Sequence, residues 1–252
     1  MKVAVVGAGG RVGREVVDVL AERGQEVVGI SRTAGVDVRT GEGLAGALAG
    51  VDVVVDALST PDRETEAVTG FFTEAARNLQ REAAAAGVRR IVLVSIIGID
   101  GFAGGHQAGK LAQERVLREG PVPVRIVRAA QFHEFPGMVL EWTTQGSVAR
   151  VPAARTQLVD IRAVAEKLVE VALDEGDVPA LIDIAGPEEV RLADAAAALA
   201  ARRGFPERVE EFTDENDPDL VLQAGGALLP GPGAVLAGQS FGEWLDRHHP
   251  AR

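Results

Sequence analysis

The chain has 252 residues, 46% hydrophobic and 25% charged, a formal net charge of −11 and no cysteine. That length supports one domain with a smaller appended lobe and a sizeable core. The acidity argues against an extended nucleic-acid surface, and the missing cysteine excludes disulfides, thiolate nucleophiles and cysteine metal sites. No apolar run approaches a membrane span, and the first one is broken by Gly7 and preceded by a single lysine, unlike a signal peptide. A cytoplasmic protein with no membrane partner is expected, as a monomer or homodimer.

Lys2 to Val6 is a short apolar run, which reads as a buried strand. A turn with Gly7, Gly9, Gly10 and Gly13 follows, and Arg14 to Ala21 carries Val16, Val17 and Leu20 at helical spacing. Gly24 ends that helix, and Glu26 to Ile30 is a second strand. Strand, glycine turn, helix and strand within about thirty residues is a dinucleotide-binding unit. A pyrophosphate needs bare amides at a helix N-terminus, here those of the glycines, Arg11 and Val12. The spacing is Gly7-x-x-Gly10-x-x-Gly13 rather than GxGxxG, and a plain βα turn is the alternative reading.

After the second strand, NAD binders carry an acid that holds the ribose 2′-hydroxyl. This chain has Ser31, Arg32 and Thr33. Arg32 can pair with a 2′-phosphate and Ser31 can donate to it, which favours NADP over NAD; a solvated surface arginine is the alternative. Val36 to Val38 reads as a short third strand with Asp37 near the adenine, and Glu42 to Leu48 as a small helix. Val51 to Leu58 is a valine-rich buried strand, and Ala57, Leu58 and Ser59 stand at its ligand-binding carboxyl end.

A long helix is expected over Glu66 to Ala86, with Phe71, Phe72, Ala75, Leu79 and Ala83 on its apolar side. Arg89 to Ile97 is a strand carrying Ser95; a glycine-rich loop leads to a helix over His106 to Arg118. Val122 to Ala130 is another strand, followed by Gln131 to Phe135. The alternation predicts an α/β fold with a doubly wound parallel sheet. Residues 1–150 form the expected Rossmann core; 151–252 form a smaller C-terminal substrate lobe or lid packed on it, in one structural unit. Within that lobe we expect a helix over Ile161 to Leu173, a strand over Ala180 to Ala185, a helix over Leu192 to Ala201, a Gly/Pro-rich connector over Gly225 to Gly233 and a terminal helix over Ala234 to His248.

Several stretches together resemble the NmrA-like atypical short-chain dehydrogenases: VAVVGAGGRVGREVV, VVGISR, GLAGALAGVDVVVDA, FFTEAARNL, AAAAGVRRIVLVSIIGID, GKLAQERVL and VRIVRAAQFHEF. The later VDIRAVAEKLVEVA and IDIAGPEEVRLAD are also similar to the family. The resemblance implies a Rossmann core, NADP(H) and a variable substrate lobe, but no single reaction. Reductase members use a Tyr-x-x-x-Lys pair with a serine at the preceding strand end. Lys110 matches the lysine, Ser95 the serine, and His106 stands where tyrosine would. The chain has no tyrosine at all.

His106 and Lys110 share a helix face at i, i+4, and an imidazole with a pKa of about 6.5 can act as general acid or base. Alternatively, His106 only caps the helix or faces solvent. His133, beside Glu134, is a second acid/base candidate, with packing the competing account. The four histidines have no metal-motif spacing, so no metal is expected.

Three functions are compatible with these residues. The first is an NADPH-dependent oxidoreductase acting on a small carbonyl, quinone or enone-like metabolite, with His106 or a water supplying the proton. Dense Ala, Val, Arg and Gly usage points to a high-GC genome, where family members often serve secondary metabolism. The second is a regulatory protein that senses NADP(H) without catalysis. The third is a non-redox cyclase, dehydratase or coupling enzyme that works in the same cleft.

Overall fold

The computed structural model describes residues 1–176 and 179–250. Strand β1 (Lys2–Val6) pairs in parallel with β2 (Glu26–Ile30) on one side and β3 (Val53–Asp56) on the other. The chain leaves β1 in one direction to form β2 and returns on the opposite side for β3. That reversal puts the topological switch point at the carboxyl ends of β1 and β3, where doubly wound sheets bind ligands. Strands β4 (Arg90–Ile96), β5 (Val124–Ala129), β9 (Leu181–Ala185) and β12 (Val235–Leu236) complete a seven-stranded sheet in the order β12-β9-β5-β4-β3-β1-β2. The expected doubly wound α/β fold is present.

The chain packs as two units. The first comprises 1–96, 103–128 and 161–182, and the second 97–102, 129–160 and 183–252. Helix α6 (Ile161–Leu173) lies within the first unit.

In the first unit, helix α1 (Arg11–Glu22) buries Val16, Val19 and Leu20, the periodic face read from the sequence. Helix α3 (Thr65–Ala85) does the same with Phe72, Ala75, Ala76, Leu79 and Ala83, and packs along α4 (Gly105–Glu119). One sheet face, with Ala4, Val6, Val54, Ile91, Leu93 and Ile126, buries itself against α3 and α4. Neighbouring strand residues turn to the opposite face, where α1 packs on β1 and α6 on β3 and β4.

The expected strand over Val36 to Val38 is absent. Asp37 makes only an isolated antiparallel bridge to Glu42, and its carboxylate accepts the Arg39 amide at 2.8 Å. The carboxylate competes for the local backbone and closes a turn before any ladder forms. The helix expected over Glu42 to Leu48 contracts to α2 (Leu44–Ala47), because Gly43 adopts φ +73° and breaks the helical path before it.

The second unit holds a small sheet of β6 (Thr144–Gln145), β7 (Val148–Pro152) and β11 (Arg208–Phe212), and a two-stranded pair of β8 (Arg155–Thr156) and β10 (Val190–Arg191). Helices α5 (Phe135–Thr143) and α7 (Leu192–Arg203) share a core with β7, built from Val139, Leu140, Val151 and Leu199. Helix α8 (Pro218–Ala224) precedes the Gly/Pro connector. The terminal helix does not start at Ala234. Val235 and Leu236 form β12, and α9 (Phe241–His248) starts after Ser240. Ser240 and Glu243 make a reciprocal capping box, which defines the helix start three residues ahead of the glutamate.

Candidate functional site

The glycine turn follows β1 directly. Gly7 donates its amide to the Ile30 carbonyl at 3.0 Å and has φ +76°. A β-carbon there would stand 2.6 Å from the Ala57 carbonyl oxygen, so only glycine lets the turn close against the end of β3. A β-carbon on Gly13 would stand 2.1 Å from the Gly7 carbonyl oxygen. Gly9 differs: it is exposed, and nothing lies within 4 Å of the place its β-carbon would take. Gly10 caps α1 without a side-chain bond, and no acid stands in the first helical turn. Arg11 is exposed and Val12 half-buried. The amides of Gly7, Ala8 and Gly10 are engaged by the Ile30 and Gly7 carbonyls, so what the turn offers is the open space beside Gly9 and the helix dipole of α1, an arrangement that fits a pyrophosphate.

At the end of β2, Ser31 caps a short 3-10 turn over Arg32–Ala34 by accepting the Ala34 amide. Its hydroxyl also lies 2.9 Å from that of Thr33. Arg32 and Thr33 are exposed. Asp37 is committed to the amides of its own turn, and Val38 is 5% exposed in the core. Beyond β3, Ala57 is buried, Leu58 half-buried and Ser59 exposed.

The other end of the site is made of side chains. Lys110, at the second turn of α4, is only 3% exposed. Its ammonium donates to Gln113 Oε1 at 2.5 Å and lies 4.8 Å from the centre of the Phe72 ring. The edge of Phe72 meets His106, with ring centres 5.2 Å apart and planes at 82°. Gln113 is wholly buried and donates through Nε2 to Asp56 Oδ2 at 2.9 Å. Asp56, the last residue of β3, also accepts the Leu58 amide at 3.0 Å. Next along α4, Glu114 makes a buried two-pronged ion pair with Arg128 of β5 at 2.9 and 2.8 Å.

Burial governs the proton affinities. It pulls Lys110 down to about 8, against the opposing pull of Asp56 and Glu114. It pushes the Asp56 carboxyl up, against Lys110, the Leu58 amide and Gln113. His106 falls to about 4, first through burial and then through the Lys110 charge. At pH 7 the imidazole is therefore neutral. It can accept a proton or donate a hydrogen bond, but it holds no extra proton to give. Ser95, one residue from the end of β4, is 3% exposed, and its hydroxyl has no hydrogen-bond partner among the described residues. A buried hydroxyl left without a partner marks a place where a ligand oxygen would be welcome.

His133 belongs to the second unit and is fully buried. Its Nε2 donates to the Gln239 carbonyl at 3.0 Å, which fixes the proton on that nitrogen when the ring is neutral. The ring lies against Phe241 and Trp244, with centres 5.9 and 5.7 Å away. Burial lowers its pKa as well. Glu134 stands at the start of α5. The structure thus brings His106 and Lys110 together around Phe72, while His133 sits in a separate aromatic cluster.

Sequence reading missed Asp56 and Gln113. A detectable signal existed for each. Asp56 ends a valine run that must be buried on both faces, and a carboxylate there needs partners. Gln113 lies three residues after Lys110, on the same helix face.

A family profile described as NAD(P)H-binding matches residues 7–175. The chain belongs to this NAD(P)H-binding family. No curated relative matches it in sequence. Solved structures share the fold at low identity. A short-chain dehydrogenase/reductase superfamily protein from Agrobacterium tumefaciens, with bound NAD, is 17% identical with a TM-score of 0.64, covering 99% of this chain and 91% of that one. A dTDP-4-dehydrorhamnose reductase from Clostridium acetobutylicum is 18% identical, with a TM-score of 0.67 and coverage of 100% and 95%. The UDP-glucose 4-epimerase of Thermus thermophilus in complex with NAD is 17% identical, with a TM-score of 0.65 and coverage of 94% and 90%. Among the described residues, no helix is long and apolar enough to cross a membrane, and no group of three or more metal-binding side chains occurs.

Proposed function

We propose that this chain is an NADPH-dependent oxidoreductase of the atypical short-chain dehydrogenase type, acting on a small carbonyl, quinone or enone-like metabolite. The observation that carries the reading is Lys110. A buried, hydrogen-bonded lysine lies on the helix after the glycine loop, and the family resemblance implies that this lysine holds the nicotinamide ribose. When bound, NADPH supplies the hydride. The chain's residues do the rest. The open turn at Gly9 and the N-terminus of α1, with its helix dipole, hold the pyrophosphate. Arg32 and the Ser31 hydroxyl receive the 2′-phosphate, with no acid at the end of β2 to repel it. The Ser95 hydroxyl donates to the substrate oxygen. His106, neutral at pH 7, orients a water or donates its own N–H to that oxygen, so the proton finally consumed comes from solvent.

The reductase and epimerase with this fold are named for nucleotide sugars, so sugar nucleotides belong in the substrate screen beside simple ketones and quinones. The test is titration of the protein with NADPH and NADH, wild type beside Arg32→Ala. We expect NADPH to bind more tightly than NADH, and the variant to lose about tenfold in NADPH affinity, near 1.4 kcal/mol, with NADH unchanged. Equal binding of both nucleotides, unaffected by the substitution, would remove the NADP assignment.

A second reading, an NADP(H) sensor without turnover, draws on the neutral His106. Turnover of NADPH with any carbonyl substrate, lost in His106→Ala with NADPH affinity intact, decides for the enzyme.

A further inference from the structure

Asp56 ends a strand whose four residues are all buried. A carboxylate in such a place is costly unless each oxygen is engaged. Both are, by the Leu58 amide and by the Gln113 side chain. The far end of Gln113 accepts the Lys110 ammonium. The two ends of this amide face opposite charges, so its orientation is determined. A flipped amide would set its NH₂ against the ammonium and its oxygen against the carboxylate, and both contacts would repel. The three residues form one polar chain from the end of β3 into the second turn of α4.

We propose that Asp56 and Gln113 are positioning residues for Lys110, fixing where its ammonium points and how firmly it keeps its proton. The role for the ammonium rests on the cofactor reading above; the relay itself does not. Asp56 supplies the countercharge from β3, and Gln113 carries its influence across the gap while aligning the amine on the face of Phe72 from α3. From α4, Glu114 adds a second negative charge, which Arg128 and Arg118 hold, at 2.8 and 3.5 Å. His106 on the same helix is neutral near pH 7 and opposes the ammonium only when protonated. Burial alone would strip the proton at lower pH; the Asp56 charge delays the loss.

The experiment is NMR on cofactor-free protein labelled with ε-¹³C lysine. The chain has three lysines, and the Lys110 signal is identified by its disappearance in Lys110→Arg. We expect Lys110 to titrate near 8. In Asp56→Asn, which keeps the shape and removes the charge, the midpoint should fall by about one pH unit or more. In Gln113→Glu, which adds a negative charge beside the amine, it should rise by a similar amount. If Asp56→Asn fails to fold, the direction seen in Gln113→Glu decides. A Lys110 midpoint that moves by less than about 0.2 in the folded variants, or moves in the opposite directions, overturns the relay. NADPH titration of the same samples reports separately: wild type that shows the relay but binds no NADPH sinks the cofactor reading and leaves the relay standing.

Discussion

The two ends of the site in the first unit are built on opposite principles. At the glycine turn, the arrangement depends on atoms that are absent. Gly7 and Gly13 bring backbone against backbone, and nothing fills the space beside Gly9. Around Lys110, the arrangement depends on atoms that are present. Asp56, Lys110, Glu114 and Arg128 put charges into a buried volume that are tolerable only because each has a partner. The first end is set by shape and dipole, and a methyl group on Gly7 or Gly13 would break it. The second is set by charge, and the loss of a single partner would break it.

The largest expected effect tests the first end. In Gly13→Ala the new methyl would lie 2.1 Å from the Gly7 carbonyl, so the turn must open. We expect NADPH affinity to drop by more than about 100-fold and stability to fall by about 2–4 kcal/mol, followed by fluorescence titration and urea unfolding. Gly9→Ala sharpens the comparison, because its methyl meets no protein atom. It should unfold like wild type, within about 0.5 kcal/mol, yet bind NADPH more weakly. A Gly13→Ala protein with wild-type affinity would end the account of this turn as a close-packed cradle.

The next effect tests the second end. Glu114→Leu leaves Arg128 buried without its two-pronged partner, which should cost about 3–5 kcal/mol in urea unfolding. Replacing both, as Glu114→Leu with Arg128→Met, should restore most of that loss, since two apolar groups of similar volume need no countercharge. If the single change costs below about 1 kcal/mol, water reaches the pair and this end is not the closed volume described.

How far each end was legible in the sequence follows from the same contrast. The glycine turn and β1, α1 and β2 could be read directly, because backbone constraints leave a local signature: glycines at fixed spacing between two apolar runs. The Lys110 relay could not. Asp56, Gln113 and Lys110 meet only after β3 and α4 pack, with Asp56 and Gln113 57 residues apart in the chain, and no local pattern records that meeting. Local misreadings had local causes. Val36 to Val38 has strand composition, but Asp37 ties down the Arg39 amide and turns the chain. Ala234 to Leu236 has helix-compatible residues, but the Ser240–Glu243 capping box sets the true helix start. The small sheet of β6, β7 and β11 joins segments about sixty residues apart, beyond the reach of periodicity.

The smallest effect falls on His106, where the two principles meet: a side chain at the charged end, but one that burial keeps uncharged. Its folded value of about 4 lies below the ordinary 6.5. Between those values the unfolded chain binds the proton and the folded chain does not, so stability must fall as pH drops from about 6.5 towards 4. The contribution is complete above pH 6.5 and reaches at most about 3 kcal/mol. His106→Gln removes this titration while leaving Asp56, Lys110 and Glu114 in place. Urea unfolding of both proteins from pH 7 to pH 4 should therefore give curves that diverge, with wild type losing more stability in acid. Parallel curves would mean that the imidazole is solvated and accepts a proton freely. It would then be available as a general acid near neutral pH, and the proton in the proposed reduction would come from His106 rather than from solvent.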